Sequence, residues 1–508
     1  MVKRGIMHFN KKSTGIIVTE SSTSRRQLLR LLSSDDVEKI HSNSLTVLDK
    51  VGVNVKNNEA LHLLKNAGCE IDPEKKIVRF PQHLVKDCLR KAPSVIRLHG
   101  RDGKHEQVVG MDNTVFNPGS SAVYFNDHKT GEIRQAFSRD LVDLSRLVDA
   151  LQFIQAQSTA VVPSEVPEAI ADTYRLYLVV KNSTKGMITG AFTKQGLIDM
   201  KRLLEIVAGG EEKLARRPMA VFDVCPSSPL IWSDNTCQNL VDCAKFSIPA
   251  EIIPAPQMGA TSPITLAGTL VQLNAEFLSG MVISQITKPG APIIYGGSPT
   301  TFDMRYLSSR LGSTENMMVA CAAAQIARHY KLPSHAYLGL SDSKNLDAQS
   351  GLETSFGVLL GTLAGVNVVS GPGMLIFENC QSLEKLVIDN EICGMALRLA
   401  EGITTSKEAL ALEVISDVGP GGHYLGQKHT LKWLEGEYFT PSDVINRLTL
   451  EAERKQGSKD IVNKARETVD KILKEHVPEP LPTDVENDLR DALKDIMNRY
   501  KIKSLPIL

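Results

Sequence analysis

Aromatic residues are scarce in this 508-residue chain: Phe, Trp and Tyr together make up 5% of it, with only 2 Trp. Any binding site built from aromatic rings must therefore draw on few side chains. Positive and negative charges are balanced as well, since 58 Lys and Arg residues face 58 Asp and Glu residues. Without a net positive field, we expect neither a nucleic-acid partner nor attraction to an anionic membrane.

The chain also lacks the patterns of secreted and membrane proteins. None of its 8 Cys residues forms a CxxC pair, which predicts free thiols in a reducing cytoplasm. No run of 18 uncharged apolar residues predicts a membrane-spanning helix. The N-terminus has no apolar signal segment, so we interpret residues 1–30 as a disordered lead-in.

Several familiar catalytic motifs are missing. The sequence contains no GxGxxG that opens a helix, no GxxxxGK[ST], no GxSxG and no HExxH. Cys237 and Cys243 are six positions apart, with no His nearby at ligand spacing. Zinc needs a tighter Cys and His cluster, so we expect no metal site in this chain.

Eight short β-rich runs recur along the middle of the chain, each followed by loop residues and a longer helical stretch. They begin near Thr114, Ile154, Gly186, Met219, Ala250, Ala291, Ser334 and Val366. A spacing of roughly 30–40 residues predicts parallel strands with right-handed crossovers. We therefore expect an α/β fold with a (β/α)₈ TIM barrel over residues 112–402. An open doubly wound sheet is the alternative.

Sequence patterns predict helices on both sides of the barrel, in residues 31–111 and 403–508. Residues 31–111 open with Asp35 and Asp36 in a first helical turn, where acidic side chains are favoured, and we interpret them as a helical N-terminal cap. Residues 403–508 form a C-terminal helical region, interrupted by Pro478, Pro480 and Pro482.

A TIM barrel carries its site at the carboxyl ends of its strands. The loops after the predicted strands are rich in Gly, Pro, Ser and Thr. Turn chemistry explains any one of them, but eight such loops at one end favour a surface that a large flat ligand can approach closely.

The aromatic residues nearest this end are Trp232, Tyr295, Phe302, Tyr337, Phe377 and Tyr424. Aromatic faces attract quaternary ammonium groups, although core packing is the alternative for each ring. His335 and His423 lie in the same part of the sequence and are candidates to hold a carboxylate, with a purely structural role as the alternative.

Several long motifs point to a known family. They are CPSSPL (225–230), SPITLAGTLVQLNAEFLSG (262–280), YGGSPTTFD (295–303), SDSKNLDAQSGLET (341–354), LAGVN (363–367), GPGML (371–375), LVIDN (386–390), GHYLGQKHT (422–430) and GSKD (457–460). In sequence and order they resemble the trimethylamine methyltransferase family, from about residue 35 onward. Known members are barrels, as expected from the eight runs.

One position departs from the archaeal trimethylamine enzymes. They carry pyrrolysine immediately before the Ser-Asp of the seventh-strand motif, where this chain has Leu340. The electrophilic imine of pyrrolysine is thought to capture a tertiary amine, and Leu340 offers no electrophile. A quaternary nitrogen needs none, because its leaving group is a neutral amine. The chain thus resembles the branch without pyrrolysine, whose known substrates are glycine betaine and related betaines.

The resemblance implies transfer of an N-methyl group to Co(I) of a cobalamin carried by a separate corrinoid protein. For glycine betaine the product is dimethylglycine. We expect this chain to hold no cofactor tightly and to form a homo-oligomer.

The same resemblance assigns roles to residues. Leu340, Ser341 and Asp342 would form the reaction centre. Substrate would be bound by Trp232, Tyr295, Phe302, His335, Gln349, Glu353, His423 and Tyr424, with Lys344 as a further candidate for the carboxylate. Gln349 and Glu353 share one helix face and are as consistent with a structural role. The corrinoid-facing surface would be formed by Gly259, Gly296, Gly297, Gly371 and Gly373.

Two other interpretations stay open at this point. The same reaction on carnitine, γ-butyrobetaine or proline betaine would need a carboxylate anchor farther from Asp342. A betaine-binding protein without turnover, such as a sensor, would need no corrinoid partner.

Overall fold

The computed structural model describes residues 29–506, so the predicted lead-in lies almost wholly outside the described residues. Within them the chain divides into two compact units. Glu401–Tyr438 belong to the smaller unit, and the larger unit contains the described residues up to Ala400 and from Phe439 onward. The predicted C-terminal region, 403–508, thus includes parts of both units.

Eight parallel strands, β1 to β8, form the centre of the larger unit. They are Val115–Asn117, Gln157–Ser158, Met187–Gly190, Ala220–Val224, Ala250–Ile252, Ile293–Tyr295, His335–Tyr337 and Val368–Ser370. Each strand begins at or just after a predicted start. The β-rich runs were sufficient to locate them because buried parallel strands are nearly continuous in apolar residues.

The pairing of these strands runs through two parallel sheets. One has the order β6-β5-β4-β3-β2 and the other the order β7-β8-β1. Tyr295 forms an isolated parallel bridge with Ser334, next to β7. On the other side, the amide of Ala156 donates to the carbonyl oxygen of Phe116 at 3.1 Å. One bridge and one hydrogen bond therefore connect the edges of the two sheets.

A helix follows each strand, as an α/β fold requires. These helices, α1 to α8, are Ser138–Ala150, Ala171–Asn182, Lys194–Ala208, Asp234–Phe246, Leu266–Thr287, Thr314–His329, Ala348–Ala364 and Leu383–Glu401. Local sequence sets their ends: the Thr193 side chain caps α3 at its start, and Gly209 ends it in the left-handed conformation.

Helix α5 is long and apolar enough to cross a membrane by length and composition alone. In its most apolar window, 72% is buried inside the protein, and it packs against α4 and α6. It is thus a core helix of the α/β unit, and an apolar run here is explained by burial on all sides.

The region before β1 is mixed rather than helical. Its helices are Ser34–Thr46, Val47–Val51 (a π-helix), Asn58–Asn66 and Gln82–Leu89, and its strands are Val53–Val55, Glu70–Asp72, Ile77–Arg79, Val95–His99 and Glu106–Gly110. The helical N-terminal cap predicted for residues 31–111 is therefore helical only in part. Three of its five strands have only three residues, too few to leave a periodic pattern in the sequence.

Beyond α8 the helices are Leu412–Val418 and Lys428–Glu437 in the smaller unit, then Leu450–Gln456, Ile461–Glu475 and Thr483–Arg499. Further short strands lie in the loops after the central strands: Tyr124–Asn126, Ile133–Gln135, Ile231–Trp232, Gln257–Met258, Thr300–Asp303, Ser308–Arg310, Met374–Leu375 and Cys380–Ser382. They build up the carboxyl end of the central strands.

A small apolar cluster lies near the amino ends of the central strands, separate from the main core. Six strands or their leading residues contribute to it, and the Val95–His99 and Glu106–Gly110 hairpin supplies the rest. Its members are Ile96, Leu98, Val109, Val115, Ala156, Ile188, Val221, Ile294 and Val368, all nearly inaccessible to solvent. Gly186, which lacks a Cβ, permits the close approach of Leu98. The hairpin thus covers this end of the cluster.

Candidate functional site

Polar residues replace the apolar ones two positions further along the same strands. Val115 is followed by Asn117, Val221 by Asp223 and Val368 by Ser370. Residues two apart in a strand point to the same side. The face that is apolar at the amino ends is therefore polar at the carboxyl ends.

One row of this polar layer joins three strands. The Asn117 amide donates to Oγ of Ser370 at 2.7 Å, and Nε2 of His335 lies 2.9 Å from the same hydroxyl. On the other side of the His335 imidazole, Nδ1 lies 2.9 Å from Oε1 of Glu251, and both side chains are fully inaccessible to solvent. These two atoms are close but are not aligned for a hydrogen bond.

A second row begins at Tyr337, whose ring stands edge-on to His335. The Tyr337 and Ser120 hydroxyls are 3.3 Å apart, and Ser120 donates to a carboxylate oxygen of Asp223 at 3.3 Å. Burial, helped by nearby carboxylates, raises the pKa of Tyr337 well above its ordinary value. The hydroxyl is therefore a neutral donor at physiological pH.

Three carboxyl groups face this polar layer: Asp223, Glu251 and Glu378. Within the described chain, no Lys or Arg nitrogen lies within 4 Å of any of them, and neither oxygen of Glu251 has a hydrogen-bond partner. Burial raises the pKa of Asp223 well above its ordinary value, and the charges of Glu251 and Glu378 raise it further. Burial likewise raises the pKa of Glu378 to about 8.

Arg175 on α2 carries a positive charge that influences Asp223. Its guanidinium is buried, donates to the carbonyl oxygen of Thr159 and lies 5.0 Å from the ring centroid of Phe192. Burial lowers the pKa of Arg175 to about 10, so it stays charged near neutral pH. Its charge lowers the pKa of Asp223, but less than burial raises it.

A cavity of about 330 Å³ opens at the carboxyl ends of β5 and β6. It is lined by Ala255, Gln257, Ser298, Thr300, Ser309, Leu311, Phe377 and Asn379. The two last residues flank Glu378. One face of the Phe377 ring already holds a cation, because Nζ of Lys344 lies 4.0 Å from its centroid.

The loop that carries Glu378 has an unusual backbone. Ile376, Phe377 and Glu378 have φ values of 52°, 54° and 71°, in the left-handed region. Side chains make this conformation costly. The amide of Ile376 donates to the carbonyl oxygen of Ser343, and the Asn379 side chain donates to the carbonyl oxygens of Ile376 and Phe377. These hydrogen bonds fix Glu378 beside Tyr337.

The predicted reaction-centre residues form a network of their own. Oγ of Ser341 and the amide of Asp342 both donate to Glu353, at 2.6 and 2.8 Å. Asp342 accepts from the amides of Leu311 and Gly312, and burial raises its pKa to about 6. Leu340 is buried, so close to Gly371 that a Cβ there would lie 2.9 Å from the Leu340 Cβ.

Two of the predicted aromatic binding residues lie in the core instead of facing the cavity. Trp232 is fully buried and donates from its indole nitrogen to Oγ of Ser279 at 2.9 Å. Tyr295 packs against Phe277 with ring centroids 4.1 Å apart. The polar atoms of both residues are used inside the protein, and their role in substrate binding stays a prediction.

The remaining predicted substrate residues are more dispersed. Phe302 is half-buried in the Thr300–Asp303 strand, and Gln349 is exposed and donates to Glu353 at 2.9 Å. His423 and Tyr424 are exposed within the smaller unit. Of the predicted substrate-binding residues His335 belongs to the polar layer, and of the other aromatic candidates Tyr337 lies in that layer and Phe377 lines the cavity.

The glycines predicted to face a corrinoid are mostly enclosed. Gly296, Gly297, Gly371 and Gly373 are buried, and Gly259 is half-buried. A Cβ on Gly296 would lie 2.7 Å from the carbonyl oxygen of Ile252. The close approaches at these positions are to the protein's own atoms.

Sequence reasoning missed Asp223, Glu251 and Glu378. Asp223 and Glu251 each interrupt a strand that is otherwise apolar, AVFDV and AEI. A lone acid in a buried strand is a signal in its own right, because burial of an unpaired charge is costly. Glu378 has no such signal, since it lies in a loop.

Comparison with known proteins assigns the chain to one family. The sequence profile described as trimethylamine methyltransferase (MTTB) matches residues 9–501. A Desulfitobacterium hafniense protein named trimethylamine methyltransferase is 32% identical over 92% of this chain and 94% of its own. A glycine betaine methyltransferase, also from D. hafniense, is 32% identical over 91% and 95%. The monomethylamine methyltransferase of Methanosarcina barkeri gives a TM-score of 0.49 at 14% identity, covering 87% of this chain and 92% of its own. The chain belongs to the trimethylamine methyltransferase family, and is a methyltransferase.

Proposed function

We propose that this protein transfers a methyl group from a quaternary amine, glycine betaine, to Co(I) of a corrinoid carried by a separate protein, releasing dimethylglycine. The site would lie at the carboxyl ends of a closed (β/α)₈ barrel. The bridge and the hydrogen bond that connect the edges of the two sheets support closure, and polar residues at the carboxyl ends agree with the position of active sites in such barrels.

The observation that carries this proposal is a set of three carboxyl groups that have no Lys or Arg partner among the described residues. Asp223, Glu251 and Glu378 face one polar layer, and Glu251 has no hydrogen-bond partner within the described chain. Buried charges are normally paired. A permanent cation such as a quaternary ammonium would supply the missing positive charge, and it would meet the carboxylates in a medium where attraction is stronger than in water.

Leu340 supports a quaternary rather than a tertiary amine. Its aliphatic side chain is buried against Gly371 and provides no electrophile for a nitrogen lone pair. A nitrogen with four carbon bonds requires no such partner. The name of the glycine betaine relative is consistent with this substrate, and longer betaines are the second candidates.

The raised pKa values of the acids suit the chemistry. Positive charge leaves the nitrogen as the C–N bond breaks, so a site that held the cation very tightly would favour the ground state over the transition state. Glu378, whose pKa burial raises to about 8, is largely protonated at neutral pH, which weakens the attraction. The site would therefore contribute mainly by orienting one methyl group toward the opening.

The test is to mix the protein with a reduced corrinoid protein and follow the loss of Co(I) absorbance. Glycine betaine, carnitine, proline betaine and trimethylamine are supplied in parallel. We expect conversion with glycine betaine and none with trimethylamine. Conversion with a longer betaine alone would change the substrate but keep the reaction. Binding of betaines without conversion would indicate a non-catalytic betaine-binding protein.

The cytoplasmic location, the homo-oligomer and the absence of a tightly held cofactor stay predictions. Sedimentation of the purified protein and its absorption spectrum would test the last two directly.

A further inference from the structure

Glu378 differs from the other two acids in its position. It lies on a loop, not on a strand, and its neighbours Phe377 and Asn379 line the cavity. The backbone of the loop is left-handed at three successive positions, a conformation that persists only where the surroundings hold it in place. Glu378 itself is half-buried, between Phe377 and Asn379 of the cavity wall.

The groups around Glu378 leave it without a positive partner. It faces Tyr337, with the carboxyls of Asp223 and Glu251 and the Cys225 thiol nearby. Burial, together with these acids, raises the pKa of Cys225 far above its ordinary value, so the thiol is neutral. Lys344 faces the Phe377 ring and donates to the carbonyl oxygen of Asp342. Three acids crowded in a poorly solvated space cannot all ionise.

We propose that Glu378 enters the reaction as a neutral carboxylic acid and gives its proton to the tertiary amine that forms when the methyl group leaves. This inference rests on the proposed function. It adds a proton donor to a transfer that would otherwise release a free amine inside the cavity.

The step is balanced. The C–N bond breaks and its electron pair stays on nitrogen, while Co(I) supplies the pair for the new bond to carbon and is formally oxidised to Co(III). As the lone pair on nitrogen develops in the transition state, the O–H bond of Glu378 breaks and its proton bonds to the nitrogen. The products are a tertiary ammonium ion and the Glu378 carboxylate, which takes a new proton from solvent after product release.

Protonation has a consequence for direction. The reverse reaction needs the nitrogen lone pair, and a protonated amine has none to offer. The raised pKa of Glu378, about 8, keeps most of this acid protonated at pH 7 while leaving it far more acidic than a tertiary amine.

The first test needs no corrinoid. Calorimetric titrations at pH 7 in buffers of different ionisation enthalpy count the protons released on binding. Dimethylglycine arrives as an ammonium ion with an N–H bond and should displace close to one proton from the wild-type protein. Glycine betaine, which has no N–H bond, should displace clearly fewer.

Glu378→Gln should remove this difference between the two ligands, and Glu467→Gln, an exposed acid on Ile461–Glu475, should keep it. A wild-type protein that releases equal numbers of protons with both ligands, or a Glu378→Gln protein that retains the difference, overturns the proposal.

The second test is the pH dependence of cobalt methylation in a single turnover. The wild-type rate should fall as Glu378 loses its proton above about pH 8. Glu378→Gln should be at least about tenfold slower and should lack this basic limb. Tyr337→Phe, which removes a hydroxyl that lowers the pKa of Glu378, should move the limb to higher pH.

The outcomes separate the two proposals. Absence of methyl transfer from every quaternary amine in the wild-type protein overturns the proposed function. Normal methyl transfer with an unchanged basic limb in Glu378→Gln overturns the proton donation alone. Should Glu378→Gln not fold, an unmoved limb in Tyr337→Phe overturns it instead.

Discussion

The two ends of the central strands face the same space with opposite chemistry. At the amino ends Val115, Val221 and Val368 pack into a sealed apolar cluster. Two residues further on, Asn117, Asp223 and Ser370 form a polar layer beside unpaired acids. Hydrophobic burial stabilises the first end, whereas unpaired buried charge destabilises the second. In each of these strands, the residue that stabilises the fold and the residue that faces the polar layer are thus only two positions apart.

The largest effect should come from the apolar end. Ile294 is fully buried in the apolar cluster, and Ile294→Ala should lower the free energy of unfolding by about 2–5 kcal/mol because a cavity remains. The Michaelis constant for glycine betaine should not change. Chemical denaturation measures the first quantity, and Ile403→Ala, at an 83% exposed position, serves as the control with almost no loss. A large change in the Michaelis constant would mean that the two ends are coupled.

The polar end should respond in the opposite way. Glu251→Gln should reduce methyl transfer by about 100-fold, since it removes a charge that faces the cation in a poorly solvated site. The melting temperature should stay the same or rise, because an unpaired buried carboxylate is lost. Parallel cobalt assays and thermal melts with Glu467→Gln as the control would check both. A Glu251→Gln protein with a lower melting temperature but unchanged activity would show that Glu251 stabilises the fold and does not act on the substrate.

The smallest effect tests a residue that the sequence assigned to the polar end. Trp232 lies in the core, and its hydrogen-bond acceptor Ser279 also donates to the carbonyl oxygen of Glu276. Trp232→Phe should therefore cost only about 1 kcal/mol of stability, with no change in betaine binding. A tenfold weaker affinity for glycine betaine, measured by calorimetry, would show that Trp232 contributes to substrate binding.

The central strands could be predicted from the sequence because each is a short apolar run between loop residues. The family resemblance could be recognised because the shared motifs are long. The side chains that face the cavity were harder to predict. Trp232 and Tyr295 follow or end strands at the expected end, yet orientation decides whether such a ring faces ligand or core, and one-residue differences in a strand reverse that orientation.

Glu378 shows why part of the site was out of reach. Its position depends on three successive left-handed residues, Ile376 to Glu378, none of which is Gly or Asn. Sequence preferences argue against that conformation, so no local rule predicts it. Hydrogen bonds from distant parts of the chain hold the loop, and only the folded structure brings them together. The division that sets Glu401–Tyr438 apart was equally invisible, because its helices read like those that follow.

The hairpin of Val95–His99 and Glu106–Gly110 covers the amino ends of the central strands, whereas the cavity opens at the carboxyl ends of β5 and β6. If the methyl acceptor is a cobalt held by a separate protein, the amine and the cobalt would both approach the site from the carboxyl ends of the strands. The amine must then be inside before the acceptor arrives, and the product waits until the acceptor withdraws. Binding would then follow a compulsory order, with the amine first. Saturating amounts of the corrinoid protein should slow turnover, because they would occupy enzyme that has not yet bound the amine.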